Sequence, residues 1–292
     1  MKNKTIDKLK VIYSSVAWGT MGLFIRLIDM PSSLVACIRG FIGAIFLYGV
    51  LCIKNKSFKL DLAAIKKNLF WISLSGIAMG FNWVLLFEAY MNTSISIATL
   101  CYYLAPIIVI IMSSIIFKEK ITLKKVICIT VALVGMMFVS GILNGNLGSG
   151  YGISGMLLAL GAAILYATVT LSGKKVSGIS SFDQTIYELL IAAVILIPYN
   201  MLTVAKEAVI LTPKTIGLLI LLGIVHTGGA FGTYFSALHT LDAQIATLFT
   251  YLDPVVSILC SVFILREATD PFCIIGAVLI IGALIMHEIL DK

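Results

Sequence analysis

The chain alternates between long apolar runs and short polar stretches along its whole length. Ten runs carry almost no charge, and they cover residues 11–28, 34–53, 69–90, 95–117, 125–142, 152–171, 184–203, 215–235, 244–265 and 272–290. About 20 helical residues cross the roughly 30 Å hydrocarbon core of a bilayer. Each run is long enough, or nearly so, to span a membrane. The pattern therefore predicts an all-α membrane protein with ten transmembrane helices.

The fourth and ninth runs have related sequences. IATLCYYLAPIIVIIMSSIIFKEK begins at Ile97 and IATLFTYLDPVVSILCSVFILREA begins at Ile245, 148 residues later, and 11 of the 24 positions are identical. Each half then holds five spans, and because five is odd, the second half must enter the membrane in the opposite sense. Many secondary transporters are built from such inverted repeats. We predict two inverted five-helix repeats, 1–143 and 152–292, joined by a linker at 144–151.

Composition supports the membrane class and excludes several functions. The chain has 292 residues, of which 60% are hydrophobic and 12% are charged, whereas soluble domains are about 45–50% apolar and about 25% charged. The six cysteines lie within the apolar runs, at spacings that fit neither a disulfide framework nor a metal site. The sequence predicts no metal and no cofactor. It also carries no hydrolase or zinc-protease motif, so we expect no enzymatic activity.

The positive charges predict the orientation. Sixteen of the 21 Lys and Arg residues would lie on the side of the N-terminus and four on the other side, with Arg39 inside a span. Cytoplasmic loops carry such an excess, so both termini should face the cytoplasm of a bacterial plasma (inner) membrane. The net charge of +7 then reflects topology and not nucleic-acid binding. The expected partners are the lipid bilayer, a small-molecule substrate and protons as a coupling ion, with the chain as a monomer or homodimer.

Several stretches carry a resemblance to a known family. They are AWGTMGLFIR at 17–26, ACIRGFIGAIFL at 36–47, FEAYMNTSISIATLCYYLAPIIVIIMSSIIFKEKIT at 87–122 and GMLLALGAAILYA at 155–167, together with the repeat that begins at Ile245. In order and duplication they resemble the EamA family of the drug/metabolite transporter superfamily. The resemblance implies a ten-helix carrier that moves small metabolites, often outward, by alternating access. A membrane enzyme and a non-transporting sensor remain distant alternatives.

Four ionisable residues lie within the predicted spans: Arg39, Glu88, Glu188 and Asp253. Such residues are costly in hydrocarbon and usually face the interior of a helix bundle. Asp253 should lie about 13–14 Å into its helix, near the middle of the membrane. It precedes Pro254, which predicts a kink. We expect Asp253 to bind cargo or a coupling proton, or else to bond a neighbouring helix.

The other ionisable residues have structural and functional alternatives. Arg39 and Glu88 lie at similar depth, which predicts a buried ion pair, either structural or cargo-binding. Glu188 should extend towards the cytoplasm. Glu119 and Glu267, at matched helix ends, should bind backbone N–H groups at a helix start. His226 is either a proton relay or a packing residue.

Two sets of site residues follow. The predicted substrate-binding residues are Trp18, Phe81, Tyr102, Tyr103, Tyr166, Tyr234, Phe249, Thr250, Asp253 and Ser257. The predicted coupling or gating residues are Asp253, Arg39, Glu88 and His226. Two cargo classes fit these sets. Amino acids and related zwitterions would use an acid for their ammonium group, and organic cations or drug-like compounds would use aromatic rings together with an acid.

Overall fold

The computed structural model describes residues 2–55, 62–93, 95–139, 152–204, 211–264, 266 and 271–290. These residues form helices and turns, with no β-strand among them. The helices are α1 Lys2–Ile25, α2 Ser32–Asn55, α3 Leu62–Asn92, α4 Ile95–Tyr102, α5 Ala105–Ile116, α6 Leu123–Val139, α7 Ile153–Lys175, α8 Ser181–Thr203, α9 Pro213–Leu221, α10 Ala230–Leu238, α11 Ala243–Phe249, α12 Leu252–Phe263 and α13 Pro271–Leu290. A π-helical segment, Leu222–Gly229, joins α9 to α10.

These helices form ten successive rods, because α4 with α5, α9 with α10, and α11 with α12 each continue one rod. Seven of the rods are long and apolar enough to cross a membrane by length and composition alone, and α13 is a shorter apolar helix. The prediction of an all-helical membrane fold with ten spans is therefore confirmed. The predicted linker at 144–151 lies outside the described residues.

The two halves match element by element. α4 and α11 begin at positions 95 and 243, and α6 and α13 begin at 123 and 271, in both cases 148 residues apart. Near the start of α1, Lys10 Nζ donates to Ser236 Oγ on α10 (2.9 Å). At the end of α7, Lys174 Nζ donates to the carbonyl oxygen of Leu241, just beyond α10. The start of α1 and the end of α7 thus share one side of the bundle, so these two matched helices run in opposite senses.

Two sides of the bundle can be named from these contacts. We call the side that holds the start of α1 and the end of α7 the N-terminal face. We call the opposite side, where α1 ends at Ile25 and α2 begins at Ser32, the distal face.

The fourth and ninth rods are interrupted where the sequence places proline. α4 gives way to α5 just before Pro106, and α11 gives way to α12 just before Pro254. Proline lacks an N–H and clashes with the preceding turn, so it interrupts the helical hydrogen bonds. The carbonyl oxygen of Tyr103 instead accepts a hydrogen bond from the Tyr251 hydroxyl (3.0 Å). Because these two residues are 148 positions apart, the two interruptions meet between the repeats.

The repeats hold together through glycines that let helices approach closely. A Cβ added at Gly76 on α3 would lie 2.8 Å from Ile191 Cβ and 3.0 Å from the carbonyl oxygen of Glu188, both on α8. One turn on, a Cβ at Gly80 would lie 3.0 Å from Ile195 Cβ. Small residues at such spacing allow tight packing between membrane helices. Gly76 and Gly80, in G-x-x-x-G spacing, therefore form a packing face between α3 and α8.

We expect Gly76→Ala to destabilise the protein by about 1–3 kcal/mol, because the added methyl group has no space between α3 and α8. Gly49→Ala on α2 is the matched control. A Cβ there has no neighbour within 4 Å, so the same substitution should stabilise the helix by about 0.5–1 kcal/mol. Denaturant titration of both variants in detergent measures the difference. Equal effects of the two substitutions would contradict close packing at Gly76.

Candidate functional site

A cavity of about 430 Å³ lies between the two repeats. Its lining runs from Val169 and Tyr234, deep in the bundle, to Ile25 and Ser32, where α1 ends and α2 begins. We call this space the central cavity. Its rim is at the distal face.

Aromatic side chains dominate the lining of the central cavity. They are Trp18, Trp83, Phe87, Tyr90, Tyr102, Tyr103, Tyr166, Phe231 and Tyr234. The Trp18 ring packs 5.1 Å from Phe231 and 5.3 Å from Tyr234, centroid to centroid. Tyr234 also bonds the hydroxyl of Thr170 (3.1 Å). These contacts fix the rings in place, so the cavity offers preformed apolar and stacking surfaces.

Among the described residues that line the central cavity, Arg39 is basic and Asp253 is acidic. The Arg39 guanidinium lies over the Trp83 ring, 4.7 Å from its centroid. Its Nη1 donates to Thr227 Oγ1 (3.4 Å) and to Met21 Sδ (3.3 Å). A guanidinium has five N–H donors, so these contacts leave donors for a ligand in the cavity.

Asp253 lies in the first turn of α12, directly after the interruption of the ninth rod. Its backbone N–H donates to the carbonyl oxygen of Thr250 (3.0 Å). Among the described residues, no side chain or backbone group bonds its buried Oδ1. A Cβ added at Gly19 on α1 would lie 2.5 Å from the carbonyl oxygen of Asp253. Gly19 therefore lets α1 press against this turn and hold the carboxyl group at the cavity wall.

A second cavity of about 340 Å³ adjoins the first. We call it the side cavity; it shares Trp18, Gly22, Tyr90, Tyr102, Tyr103 and Asp253 with the central cavity and adds Gly19, Thr99, Met136, Val139, Pro254, Ser257 and Ile258. Asp253 thus lies at the junction of two spaces. A bound molecule in one cavity and water in the other could both reach its carboxyl group.

The structure brings most of the predicted substrate-binding residues together. The residues that line one or both cavities are Trp18, Tyr102, Tyr103, Tyr166, Tyr234, Thr250, Asp253 and Ser257. Phe81 and Phe249 are exceptions and line neither cavity. Phe81 is 49% exposed on the outside of the bundle, whereas Phe249 is 6% exposed and packs in the hydrophobic core. The helix is interrupted between Phe249 and Asp253, so these two residues, four positions apart, do not share the face that one continuous helix would give them.

The predicted ion pair between Arg39 and Glu88 is wrong. Arg39 turns towards Trp83 and Thr227, whereas Glu88 Oε1 accepts a hydrogen bond from the Tyr199 hydroxyl on α8 (2.6 Å). Position along a helix gives depth in the membrane but not the direction in which a side chain points. Glu88 lines neither cavity.

Two other ionisable residues lie away from the cavities. His226 is buried in the π-helical segment, where Nε2 bonds Thr20 Oγ1 (3.1 Å) and the ring packs 5.1 Å from Phe24. That position corresponds to the packing alternative. Glu188 was expected to reach solvent, but its exposure is 0%. The prediction failed because α8 packs against α2 and α3 at the level of this residue.

The N-terminal face is closed by contacts that cross between the repeats. The Glu119 carboxylate accepts hydrogen bonds from the backbone N–H groups of Ala243 (3.0 Å) and Gln244 (3.4 Å), and it pairs with Lys174 (2.9 Å). Glu119 therefore binds a helix start, as predicted, although that helix is α11 of the other repeat. Nearby, Lys125 Nζ donates to Gln244 Oε1 (2.8 Å). Glu267 lies outside the described residues.

Sequence reasoning missed Asn82, a buried polar residue of the cavity wall. Asn82 lies in the middle of α3, is 5% exposed and lines the central cavity. Its Nδ2 donates to the carbonyl oxygen of Ala162 on α7 (2.6 Å). A lone amide in the middle of an apolar run was the available signal, since buried polar groups need partners. Among the described residues, no cluster of three or more His, Cys, Asp or Glu could hold a metal ion.

Known proteins match this fold over almost its whole length. The profile of the EamA-like transporter family matches residues 8–141 and 153–287, once in each repeat. The chain belongs to the EamA-like transporter family. It is therefore a multi-pass membrane protein of a transporter family.

Individual relatives agree with that assignment. The uncharacterized transporter YxxF of Bacillus subtilis (strain 168) is 27% identical over 97% of this chain and 89% of its own length. Protein PecM of Dickeya dadantii (strain 3937) is 24% identical over 74% of this chain and 72% of its own length. One crystal structure superposes with a TM-score of 0.85 at 18% identity, covering 98% of this chain and 97% of the other. That likeness shows a shared fold.

Proposed function

We propose that this EamA-like transporter is a secondary carrier of small zwitterions, namely amino acids with apolar or aromatic side chains, by alternating access. One observation supports this most directly: the central cavity holds one acidic and one basic side chain, Asp253 and Arg39, within an aromatic lining. Asp253 would bind the ammonium group of the cargo and Arg39 its carboxylate. The aromatic rings would contact its side chain.

The two faces of the bundle support alternating access. The central cavity opens towards the distal face, whereas Glu119 and Lys174 close the N-terminal face. Alternating access requires one such state and its opposite. The excess of Lys and Arg supports a cytoplasmic position for the N-terminal face, and in that orientation this conformation faces outward. Export is the direction that the family resemblance implies, and a proton on Asp253 is the proposed coupling ion.

Organic cations are the second candidate. Asp253 lies near Tyr102 and Tyr103 in both cavities, and aromatic rings with a carboxylate attract cations. Arg39 argues against this class because it would repel a cation in the same cavity. The two candidates therefore differ in what Arg39 does.

We expect wild-type protein to prefer phenylalanine to phenethylamine, which lacks only the carboxylate, and Arg39→Gln to lose that preference. A hydrogen bond to a charged group contributes about 1.5–3 kcal/mol, so phenylalanine affinity should fall by about 10- to 100-fold. Phenethylamine affinity should stay the same or rise. Competition for uptake into proteoliposomes measures both ligands on both proteins.

Arg26 is exposed just beyond α1. Arg26→Gln is therefore the control for the loss of a positive charge at the distal face. It should leave the preference unchanged. If wild-type protein prefers phenethylamine and Arg39→Gln keeps that preference, the organic-cation candidate is favoured. Binding of neither compound would remove the support for this cargo class.

A further inference from the structure

Glu188 is a buried acid that the proposed cargo site does not use. It lies on α8, about 10 Å from the start of that helix at Ser181, and lines neither cavity. Its Oε1 accepts a hydrogen bond from Gln184 Nε2 (3.0 Å), and the Ser75 hydroxyl on α3 lies beside the carboxyl group. Its Oε2 is buried, and no described residue bonds it in the geometry observed.

Among the described residues, no cation pairs with Glu188. The charged and titratable side chains on the surrounding elements include Arg39 on α2, Lys66 and Lys67 on α3, Lys174 and Lys175 on α7, Asp183 and Tyr187 on α8, and His239 after α10. Arg39 lies over Trp83, and Lys174 pairs with Glu119. Among the described residues none forms an ion pair with Glu188. A lone carboxylate in such a place is very costly, so the neutral carboxylic acid is the form that fits.

A short polar path connects Glu188 to the N-terminal face. His239 lies there with part of its surface exposed and its ring partly buried, and its Nε2–H donates to Gln184 Oε1 (2.8 Å). Partial burial, and then the positive charge of Lys10, lower the pKa of the His239 imidazole. At neutral pH it is therefore an uncharged donor. Gln184 in turn bonds the carboxyl group of Glu188, so a single amide separates the buried acid from a surface histidine.

The path ends at the floor of the central cavity. Val169 lines that cavity, and its carbonyl oxygen accepts a hydrogen bond from Ser75 (3.4 Å). A Cβ added at Gly173 would lie 2.5 Å from the Phe235 ring, and the Gly173 carbonyl accepts a hydrogen bond from Gln184, so α7 and α10 are in close contact at the level of Gln184. Glu188 is 0% exposed and lines neither cavity, so the central cavity does not reach it in this conformation, whereas Gln184 and His239 connect it by hydrogen bonds to the N-terminal face.

We propose that Glu188 is a proton-binding site that exchanges its proton with the N-terminal face only. When that face opens, His239 separates from Gln184 and water enters. The carboxylic acid then gives one proton to that water and becomes a solvated carboxylate; closure takes one proton back from the same side. The proposal rests on the transport function proposed above, and it makes closure of the N-terminal face dependent on the pH at that face.

Infrared difference spectroscopy tests this directly. In wild-type protein we expect a C=O stretching band of a protonated, dry carboxyl group that disappears on going from acid to alkaline pH. Glu188→Gln should lose this band. Asp242→Asn should keep it, because the Asp242 side chain is 49% exposed at the N-terminal face and its substitution leaves the Glu119–Lys174 pair in place. If Glu188→Gln does not fold, the spectrum of Glu188→Met, which has an apolar side chain of similar size, is compared with that of wild-type protein instead.

Two further variants separate the other titratable groups. His239→Gln should keep the C=O stretching band, because glutamine can still donate to Gln184. Asp253→Asn should keep the part of the band that comes from the carboxyl group of Glu188. The measurement needs no cargo, so a wrong cargo assignment leaves the result intact. Identical spectra of wild-type protein and Glu188→Gln at every pH would overturn the proposal, as would loss of the whole band in His239→Gln.

Discussion

The Asp253→Asn variant should lose transport while keeping its fold. In the proposed carrier, Asp253 supplies the negative charge that binds the ammonium group of the cargo or the coupling proton, and asparagine can do neither. The side chain nevertheless has nearly the same shape, and no described group bonds Oδ1, so packing around Gly19 and Thr250 is preserved. A charge-assisted hydrogen bond contributes about 1.5–3 kcal/mol. Cargo affinity should therefore fall by about 10- to 100-fold.

Transport assays and thermal unfolding separate these two effects. A bound ligand at about 100 times its dissociation constant stabilises a protein by about 2.7 kcal/mol, so the same cargo concentration should raise the melting temperature of wild-type protein clearly more than that of Asp253→Asn. Asp242→Asn is the matched control, since Asp242 lies at the N-terminal face with its side chain 49% exposed. It should transport normally. Normal uptake by Asp253→Asn would remove Asp253 from the mechanism.

The sequence was sufficient to predict the arrangement of helices because both signals, the length of the apolar runs and the offset of the repeat, are read along the chain without knowledge of its packing. Apolar run length reports how many times the chain crosses the bilayer. The offset of 148 residues reports the repeat, and it reappears in the starts of α4 and α11. Pro254 likewise predicted an interruption, since the missing N–H acts on the local helix whatever surrounds it, and Pro106 marks the matching interruption in the first repeat.

The site was predicted less well because it depends on the direction in which each side chain points around its helix. Arg39 and Glu88 share a depth, yet one turns to Trp83 and the other to Tyr199. Phe249 left the predicted cluster because the helix is interrupted between it and Asp253, just before the proline that was recognised as a kink. Glu188 shows the same limit in another form: its distance from the helix end suggested contact with solvent, whereas packing against α3 decides its burial.

Glu119 is the second critical acid, because it lies at the N-terminal face, which is closed while the central cavity opens at the distal face. Its carboxylate joins the end of α5 to the end of α7 through Lys174 and to the start of α11 through two backbone N–H groups. The Glu119 and Lys174 side chains are 6% and 16% exposed. Removing one partner of a mostly buried pair costs about 3–5 kcal/mol. In a carrier with two end states, that cost falls on the state that contains the pair.

We therefore expect Glu119→Gln to shift the protein towards opening at the N-terminal face by about 100-fold or more, at 1.4 kcal/mol per factor of ten. Spin labels at Lys120 and Ser177, both exposed at that face, should move apart in the variant, on a background without the six native cysteines. Asp242→Asn is the control, because its contact with Lys125 is 3.6 Å long and half exposed, and such pairs contribute about 0–1 kcal/mol. If the label distances do not change in Glu119→Gln, other contacts close this face. If they change only as much as in Asp242→Asn, Glu119 contributes no more to closure than an exposed surface charge does.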